Sequence, residues 1–437
     1  MVRALLLALC CAGRATASYC DGGPSASAKP NEFPISEPSI VHAASTHGGR
    51  LDYATAPSST TLANGSPKNK TFPILHLYGE PYDWGYAQGH LLRARCIAFW
   101  DSFWDFLVAS TTGGEAAVVA MLTGIEQSSR AFVPARFSEE LRGLADATGY
   151  NASKLLWIHL YPESADGHCS MFGAWGKATQ HSLGGELLQM RALDYLTEPF
   201  LVENHMVTVY HPTPGKGEPI VSVGFVGTVT MVTGMSAHLG LSEIGVSNPD
   251  DTFGPQRFGE GIPFNILLRE VMMGQTQLQG VERALRDATR TLDLILGFGA
   301  HKKDEPRAPF TGVQYARDQV RFYDDKNMLP VNASWHAPIE DVVYHGMDWL
   351  CPAWTKPLGE KLRSLAASGN VNAAETIRSI NAVVQTGDLH VAIYEGARQV
   401  MYIAQGEPKA EGRDGGVPAY DTPYMKLDVA ALLAQTE

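Results

Sequence analysis

At residue 169 the sequence changes its period, and that change constrains the fold more than any other feature. Upstream, from about 80 to 165, apolar residues recur at helical spacing. The stretch "DWGYAQGHLLRARCIAFWDSFWDFLVAS" sets Leu92, Cys96, Phe99, Phe103 and Leu107 on one face. "SEELRGLADATG" reads as another helix, with Ser138 as N-cap, Glu139 and Glu140 in the first turn and Gly149 as its stop. "NASKLLWIHLYPE" reads as a further one, capped by Asn151 or Ser153. From Cys169 the pattern turns to paired strands. "CSMFGAWGKA" and "GELLQMRALDY" flank "TQHSLGG" as a hairpin, and "HMVTVYHP" and "PIVSVGFVG" flank "TPGKGE" as a second. "VTMVTGMSA" with "LGLSEIGVSN" makes a third pair. Helices return in "IPFNILLREVMM" and "LQGVERALRDATRTLDLIL", followed by the strands "GVQYARDQVRFYD" and "LHVAIYEGARQVMYIAQ". Strands bracketed by helices predict an α/β layered domain, with antiparallel hairpins and sheets covered on both faces.

The N-terminus predicts entry to the secretory pathway. "MVRALLLALCCAGRATAS" has a basic residue at Arg3, an apolar stretch from Ala4 to Ala12, and small residues at Ala15-Thr16-Ala17. That is a signal peptide over 1–17, with cleavage expected after Ala17. Its apolar run is shorter than the roughly 20 residues a membrane span needs. Residues 21–70, rich in Pro, Ser, Ala, Gly and Asn without a period, read as loop, so 18–74 is expected to be a partly disordered leader. Sequons at Asn64, Asn69, Asn151 and Asn332 fit secretory passage. A secreted or lysosomal protein is the expectation.

A chain of 437 residues can bury a large core, and its length alone is a prior for two or three domains. The net charge of −12, with no basic run, excludes nucleic acid as an expected partner. Once the signal is removed, Cys20, Cys96, Cys169 and Cys351 remain. In an oxidising compartment they would form two disulfides in any of three pairings, unless Cys169 is a working thiol.

The sequence has no G-x-S-x-G elbow, H-E-x-x-H pair, Walker loop or dinucleotide fingerprint, and no metal or organic cofactor is implied. His390 in "TGDLHVAIY" reads as a strand histidine satisfied by hydrogen bonds rather than as a ligand. What remains is Cys169 with Arg191 and Asp194. A cysteine attacks carbonyl carbon as thiolate, so it needs a nearby base or positive charge. A cut between His168 and Cys169 would supply both, because the new α-amine has a reference pKa of about 7.7–8.0 and could take the thiol proton. An aspartate could orient that amine, and an arginine could balance the aspartate and hold substrate. The plain alternative is a structural cysteine.

"CSMFGAWGKAT…GGELLQMRALDY" resembles the start of the catalytic chain in N-terminal-nucleophile hydrolases of the cholylglycine hydrolase and acid ceramidase type, which include the fungal acyltransferases acting on penicillin precursors. The shared pattern is Cys, a hairpin, then Arg-x-x-Asp. "RFGEGIPFNILLREVM" and "TGDLHVAIYE" resemble the ceramidase-like branch, and "GEPYDWGYAQGHLL" the helix entry of the acyltransferase branch. The likeness runs from about 75 to 405. It implies an αββα sandwich of two mainly antiparallel sheets between helical layers, with 75–168 as a mostly helical alpha subunit and 169–437 as the catalytic beta subunit of one precursor. It implies Cys169 as the nucleophile released by self-cleavage, Asp194 holding the new amine and Arg191 supporting the site. "GMSAHLGLSEIGVSNPDD" resembles the segment ending in an oxyanion-hole asparagine, which points to Asn248; such a donor is worth roughly 3 kcal/mol. The alternative is that Asn248, before Pro249, only begins a turn. The pattern's second asparagine has no secure counterpart, Asn332 standing nearest but inside a sequon. A downstream arginine is also missing, with His345 closest to its place. The resemblance further implies a Cys20–Cys351 bridge joining the subunits, leaving Cys96 packed as a small apolar group.

The implied activity is hydrolysis of linear N-acyl amides, or transfer of their acyl group, through a thioester at Cys169. Lipid amides such as ceramides or N-acylethanolamines are the favoured substrates. Competing readings are a lipid esterase of the lysosomal phospholipase-B-like kind and a non-catalytic secreted binding protein on the same fold. The aromatic stripe Phe99, Trp100, Phe103, Trp104 is expected to pack in a core; any exposed part would seat an acyl chain or touch a membrane or lipid surface.

Overall fold

Two mainly antiparallel sheets lie face to face, each with its outer side under helices, in a computed structural model that describes residues 20, 22–61, 67–165, 167–254, 260–301, 308–328, 332–408 and 416–437. The expected signal peptide and the sequon at Asn64 lie outside the described residues. The larger sheet is built from β1 (Ser39–Thr46), β2 (Gly49–Thr61), β3 (Pro67–Gly79), then, after β4 (His168–Ala174) and β5 (Leu188–Asp194) of the smaller sheet, β6 (His205–Pro212), β7 (Ile220–Phe225), β8 (Gly234–Ser236), β9 (Leu239–Gly245), β10 (Leu294–Ala300), β11 (Phe310–Tyr315) and β12 (Val320–Tyr323). Its ten strands stand in the order β1-β2-β3-β6-β7-β8-β9-β10-β11-β12. Adding β13 (Val342–His345), β14 (His390–Glu395), β15 (Val400–Gln405), the two-residue partners β16 (Glu407–Pro408) and β17 (Gly416–Val417), and β18 (Met425–Asp428), the smaller sheet runs β13-β4-β5-β14-β15-β18.

Side-chain alternation assigns the layers. In β5, Leu188, Met190 and Ala192 pack outward against Leu358, Leu362 and Ile380. Gln189, Arg191 and Leu193 therefore face the other sheet. In β4, Phe172 and Ala174 point outward, whereas Cys169 and Met171 meet Ile244 and Ile295 of the larger sheet. The outer face of the larger sheet, through Leu75, Leu77, Met206 and Ile220, lies under helices α1 (Pro81–Leu91), α2 (Arg93–Ser110), α3 (Gly114–Ser129), α4 (Ala135–Thr148), α5 (Ala152–Leu160), α6 (Phe264–Gly274) and α7 (Leu278–Asp287). Helix α8 (Pro352–Ala367) belongs to the layer over the smaller sheet. The order is helices, sheet, sheet, helices: the expected αββα sandwich.

The three expected hairpins form as antiparallel pairs β4/β5, β6/β7 and β8/β9. Helix α4 ends at Gly149, which takes a left-handed φ of 71° that favours glycine, and Asn151 Oδ1 caps α5 by accepting from the Lys154 amide at 2.9 Å.

Three expectations are corrected. The stretch 18–74, read as a loop-like, partly disordered leader, contains β1, β2 and the first part of β3. β1 is mostly exposed and held by its backbone ladder to β2, so it needs no apolar period. The segment read as one long helix from 278 stops at Asp287 and re-enters as β10, whose fully buried "LILGFGA" gives no alternation to tell strand from helix. Helix α4 starts at Ala135 behind Pro134 rather than behind Ser138, because a proline at that entry gives up no helical N–H.

The sequence on either side of His168 is interlocked. β3 pairs in parallel with β6, Ile74 opposite Val207. Cys20 and Cys351 form a disulfide, and Cys96 and Cys169 are free and buried. A buried ion pair of 2.6 Å joins Glu140 on α4 to Arg269 on α6. Helices α1 and α4 touch backbone to backbone: a Cβ on Gly85 would lie 1.8 Å from the Glu140 carbonyl oxygen. Among the described residues, no single helix is long and apolar enough to cross a membrane.

Candidate active site

Strand register builds the site. Cys169 stands opposite Leu193, and Leu193 opposite His390, so these three share a row across β4, β5 and β14. Arg191 is two residues from Leu193 and on the same inner face, diagonal to both ends of that row. Its guanidinium spans them. Nη2 donates to Cys169 Sγ at 3.2 Å, and Nη1 donates to His390 Nε2 at 3.0 Å. From the facing sheet, Glu243 Oε2 lies 3.0 Å from Nη2 and the Glu243 carbonyl accepts from Nε at 3.2 Å. Thr233 Oγ1 is 3.0 Å from the same His390 nitrogen.

Asp194, an odd number of residues from Arg191, faces the other way. Its Oδ1 accepts from the Gly387 amide at 2.6 Å and its Oδ2 lies 2.7 Å from Thr386 Oγ1, which in turn is 2.6 Å from Ser170 Oγ. His168 is directly opposite Asp194 in the ladder, which sets Asp194 level with the His168–Cys169 peptide. The Cys169 amide donates to the Met347 carbonyl at 3.2 Å. The preceding chain is pressed against the end of β9, where a Cβ on Gly245 would lie 2.7 Å from the Gly167 carbonyl oxygen.

Asn248 is held by Asp348. Its amide nitrogen and Nδ2 donate to Asp348 Oδ2 at 3.2 and 3.3 Å, and Nδ2 lies 3.6 Å from Cys20 Sγ. The same carboxylate oxygen is 3.7 Å from His168 Nδ1. Asn248 thus sits with the residue before Cys169 and does not line the cavity described below. Asn332 is exposed, with Oδ1 bonded to Ser334, and His345 is buried against the Tyr323 hydroxyl at 2.8 Å.

The electrostatics hold the cysteine protonated. Burial pushes the Cys169 thiol well up, Arg191 opposes this, and the negative charges of Glu243 and Asp194 add to it. Burial also raises Glu243 against the pull of Arg191. Asp194 is raised by burial and then by the charge of Asp388, with the Gly387 and Thr386 hydrogen bonds opposing. Asp348 is pushed up to about 6 by burial, against the hydrogen bonds it receives.

A cavity of about 210 Å³ opens onto this set. Cys169, Arg191, Glu243 and His390 line it together with Phe99, Phe103, Phe225 and Phe264. The aromatic stripe of α2 is therefore core, as expected, and two of its members also form cavity wall. Trp100 and Trp104 turn elsewhere, their Nε1 atoms donating to the Gly227 carbonyl and to Glu115 Oε1, both at 3.1 Å. Among the described residues no three His, Cys, Asp or Glu side chains come together to hold a metal ion.

No family model matches the chain. Two proteins of Dictyostelium discoideum are similar to it over most of their length. Protein dcd1A is 28% identical over 84% of this chain and 87% of its own, and protein dcd1B is 29% identical over 92% and 81%. Among solved structures, a Caenorhabditis elegans N-acylethanolamine-hydrolyzing acid amidase ortholog aligns over 52% of this chain and 93% of its own, with 11% identity and a TM-score of 0.35. A conjugated bile acid hydrolase from Clostridium perfringens aligns over 59% and 96%, with 12% identity and a TM-score of 0.36.

The structure adds two residues to the candidate site. His390 is a strand histidine with hydrogen bonds, as expected, yet it belongs to the cavity wall and bonds Arg191. Glu243 is the missing counter-charge. Its signal was present: a single glutamate in the apolar strand "LGLSEIG" must find a cation when buried, and the single arginine in "LQMRALD" must find an anion.

Proposed function

We propose that the protein is a cysteine-dependent amidase that cleaves its own chain before Cys169. The observation that carries this reading is the Cys169 sulfur, bonded to a fully buried arginine, on the wall of an apolar cavity and one peptide bond from His168. In the first step Sγ attacks the His168 carbonyl carbon, the thiol proton passes to the Cys169 nitrogen, the C–N bond to Cys169 breaks, and a thioester forms. The Cys169 nitrogen leaves as a free α-amine, and water then hydrolyses the thioester to give the His168 carboxylate and the Cys169 thiol. The uncut protein keeps the thiol buried without a base. The cut protein gains an amine within the same residue.

That amine is the general base for external substrates. It takes the thiol proton as Sγ attacks a substrate carbonyl, and returns it to the departing amine; water completes the cycle by hydrolysing the acyl thioester. Arg191 supports the negative sulfur, and Asp194 orients the amine through the end of the β4/β5 ladder. The oxyanion assignment stays with Asn248, which would have to leave Asp348 when His168 is released. The aromatic walls favour a linear acyl chain, so the substrate class is N-acyl amides with an apolar acyl group, lipid amides among them. Acyl transfer follows if an amine rather than water meets the thioester. The N-terminal signal and the sequons at the exposed Asn69, Asn151 and Asn332 support a secreted or lysosomal setting.

A panel of fatty acyl amides and the matching esters, incubated with the processed protein and followed by mass spectrometry of the Cys169 peptide, tests the reading. An acyl thioester on Cys169 and amine release are expected, both absent in Cys169→Ala. Ester turnover with untouched amides would favour the lipid esterase, and no turnover of either the binding protein.

A further inference from the structure

Arg191 is held from two sides, and only one hold comes from its own sheet. Glu243 reaches it from β9, bonding Nη2 and Nε. A carboxylate facing a guanidinium favours two parallel hydrogen bonds, which would turn Arg191 onto Glu243 and away from sulfur. The opposing hold is His390 Nε2, at 3.0 Å from Nη1. An arginine nitrogen only donates, so this Nε2 must carry a free lone pair. The ring is then neutral, with its proton on Nδ1.

Its surroundings agree. The groups facing the ring are Arg191 on β5, His205 on β6 with ring centroids 5.8 Å apart, and the Thr233 hydroxyl before β8; Glu243 stands behind Arg191. Burial, and then the positive charge of Arg191, hold His390 well below the ordinary histidine range. His390 Nδ1 is buried with no hydrogen-bond partner among the described residues. The opposite tautomer would lose the Arg191 bond, so this one is kept although its N–H is left unanswered.

We propose that His390 is a positioning residue for Cys169: by accepting from Nη1 it keeps the Arg191 guanidinium on the sulfur. It touches neither the sulfur nor the scissile peptide and acts through Arg191. The inference rests on Cys169 as the nucleophile of the proposed amidase.

The test reads Cys169 itself, so it does not depend on finding a substrate. Full-length protein is treated with iodoacetamide, and alkylation of Cys169 and Cys96 is followed by peptide mass spectrometry. In His390→Leu the acceptor is gone, and Cys169 alkylation is expected to slow about tenfold to a hundredfold, the span of a hydrogen bond to a charged group. His390→Gln offers an oxygen at the position of Nε2 and is expected to stay within about threefold of the parent; Cys96, packed elsewhere, is unchanged in both. Equal slowing in both variants, or none in His390→Leu, overturns the proposal. If the expected pattern appears but the protein hydrolyses no amide, the amidase reading fails and the role of His390 stands. Should His390→Leu not fold, ¹⁵N spectra of histidine-labelled parent, assigned by the signal lost in His390→Gln, decide: an unprotonated Nε2 is required, and a protonated one contradicts the proposal.

Discussion

Glu163 shows how a single buried side chain near the junction can be weighed. Its carboxylate accepts from the Phe264 amide at 2.7 Å, at the start of α6, and from Thr291 Oγ1 at 3.2 Å. Those bonds favour the anion, but burial outweighs them and pushes its pKa up to about 7. The folded value lies above the unfolded one of about 4.3, so the protonated acid contributes stability that is full below the unfolded pKa and is lost as pH rises through about 7. Glu163→Gln keeps an acceptor without the charge. Its melting temperature should match the parent near pH 4 and exceed it at pH 8.5, by a margin that corresponds to about 3 kcal/mol. A gap that does not change with pH contradicts this account. The same balance applies to Cys169, where burial outweighs Arg191 in the uncut chain. At this scale the sequence was legible where chemistry is local: Cys169, Arg191 and Asp194 fall on one hairpin. Glu243 and His390 come from strands far along the chain, and only the pairing of sheets brings them to Arg191.

Elements follow the same division. Strands that carry polar residues on their inner face, as β5 does with Gln189 and Arg191 between Leu188, Met190 and Ala192, have readable alternation, and helices with a clear stop, such as α4 before Gly149, end where expected. β10 is buried on both faces and β1 is mostly exposed, so neither has a period to read. The crossing of α1 and α4 depends on two glycines whose role no local pattern reveals. Gly85 lies against the Glu140 carbonyl, and Gly143 against that of Tyr82, where a Cβ would approach to 2.1 Å. Gly85→Ala must push the helices apart, and with them Glu140 from Arg269. A loss of about 1–3 kcal/mol is expected in urea unfolding. An unchanged midpoint would mean that the crossing adjusts freely.

On the scale of the whole molecule, the segments on either side of the proposed cut before Cys169 hold each other in place. The stretch before His168 supplies three strands of the larger sheet and five of the seven helices over it; the stretch after supplies α6, α7, the rest of that sheet and the strands of the smaller one. β3 on β6, Glu140 on Arg269 and the Cys20–Cys351 bridge each cross the divide. Cleavage before Cys169 would release an amine inside an otherwise intact core. The most direct test is electrophoresis of purified protein with and without reductant, followed by end-sequencing of the separated pieces. The account predicts one denatured species without reductant and two with it, the larger beginning Cys169-Ser170-Met171, and a single uncut chain for Cys169→Ala under both conditions. A parent chain that hydrolyses amides while remaining whole, or a Cys169→Ala chain that is still cut at His168, would contradict it.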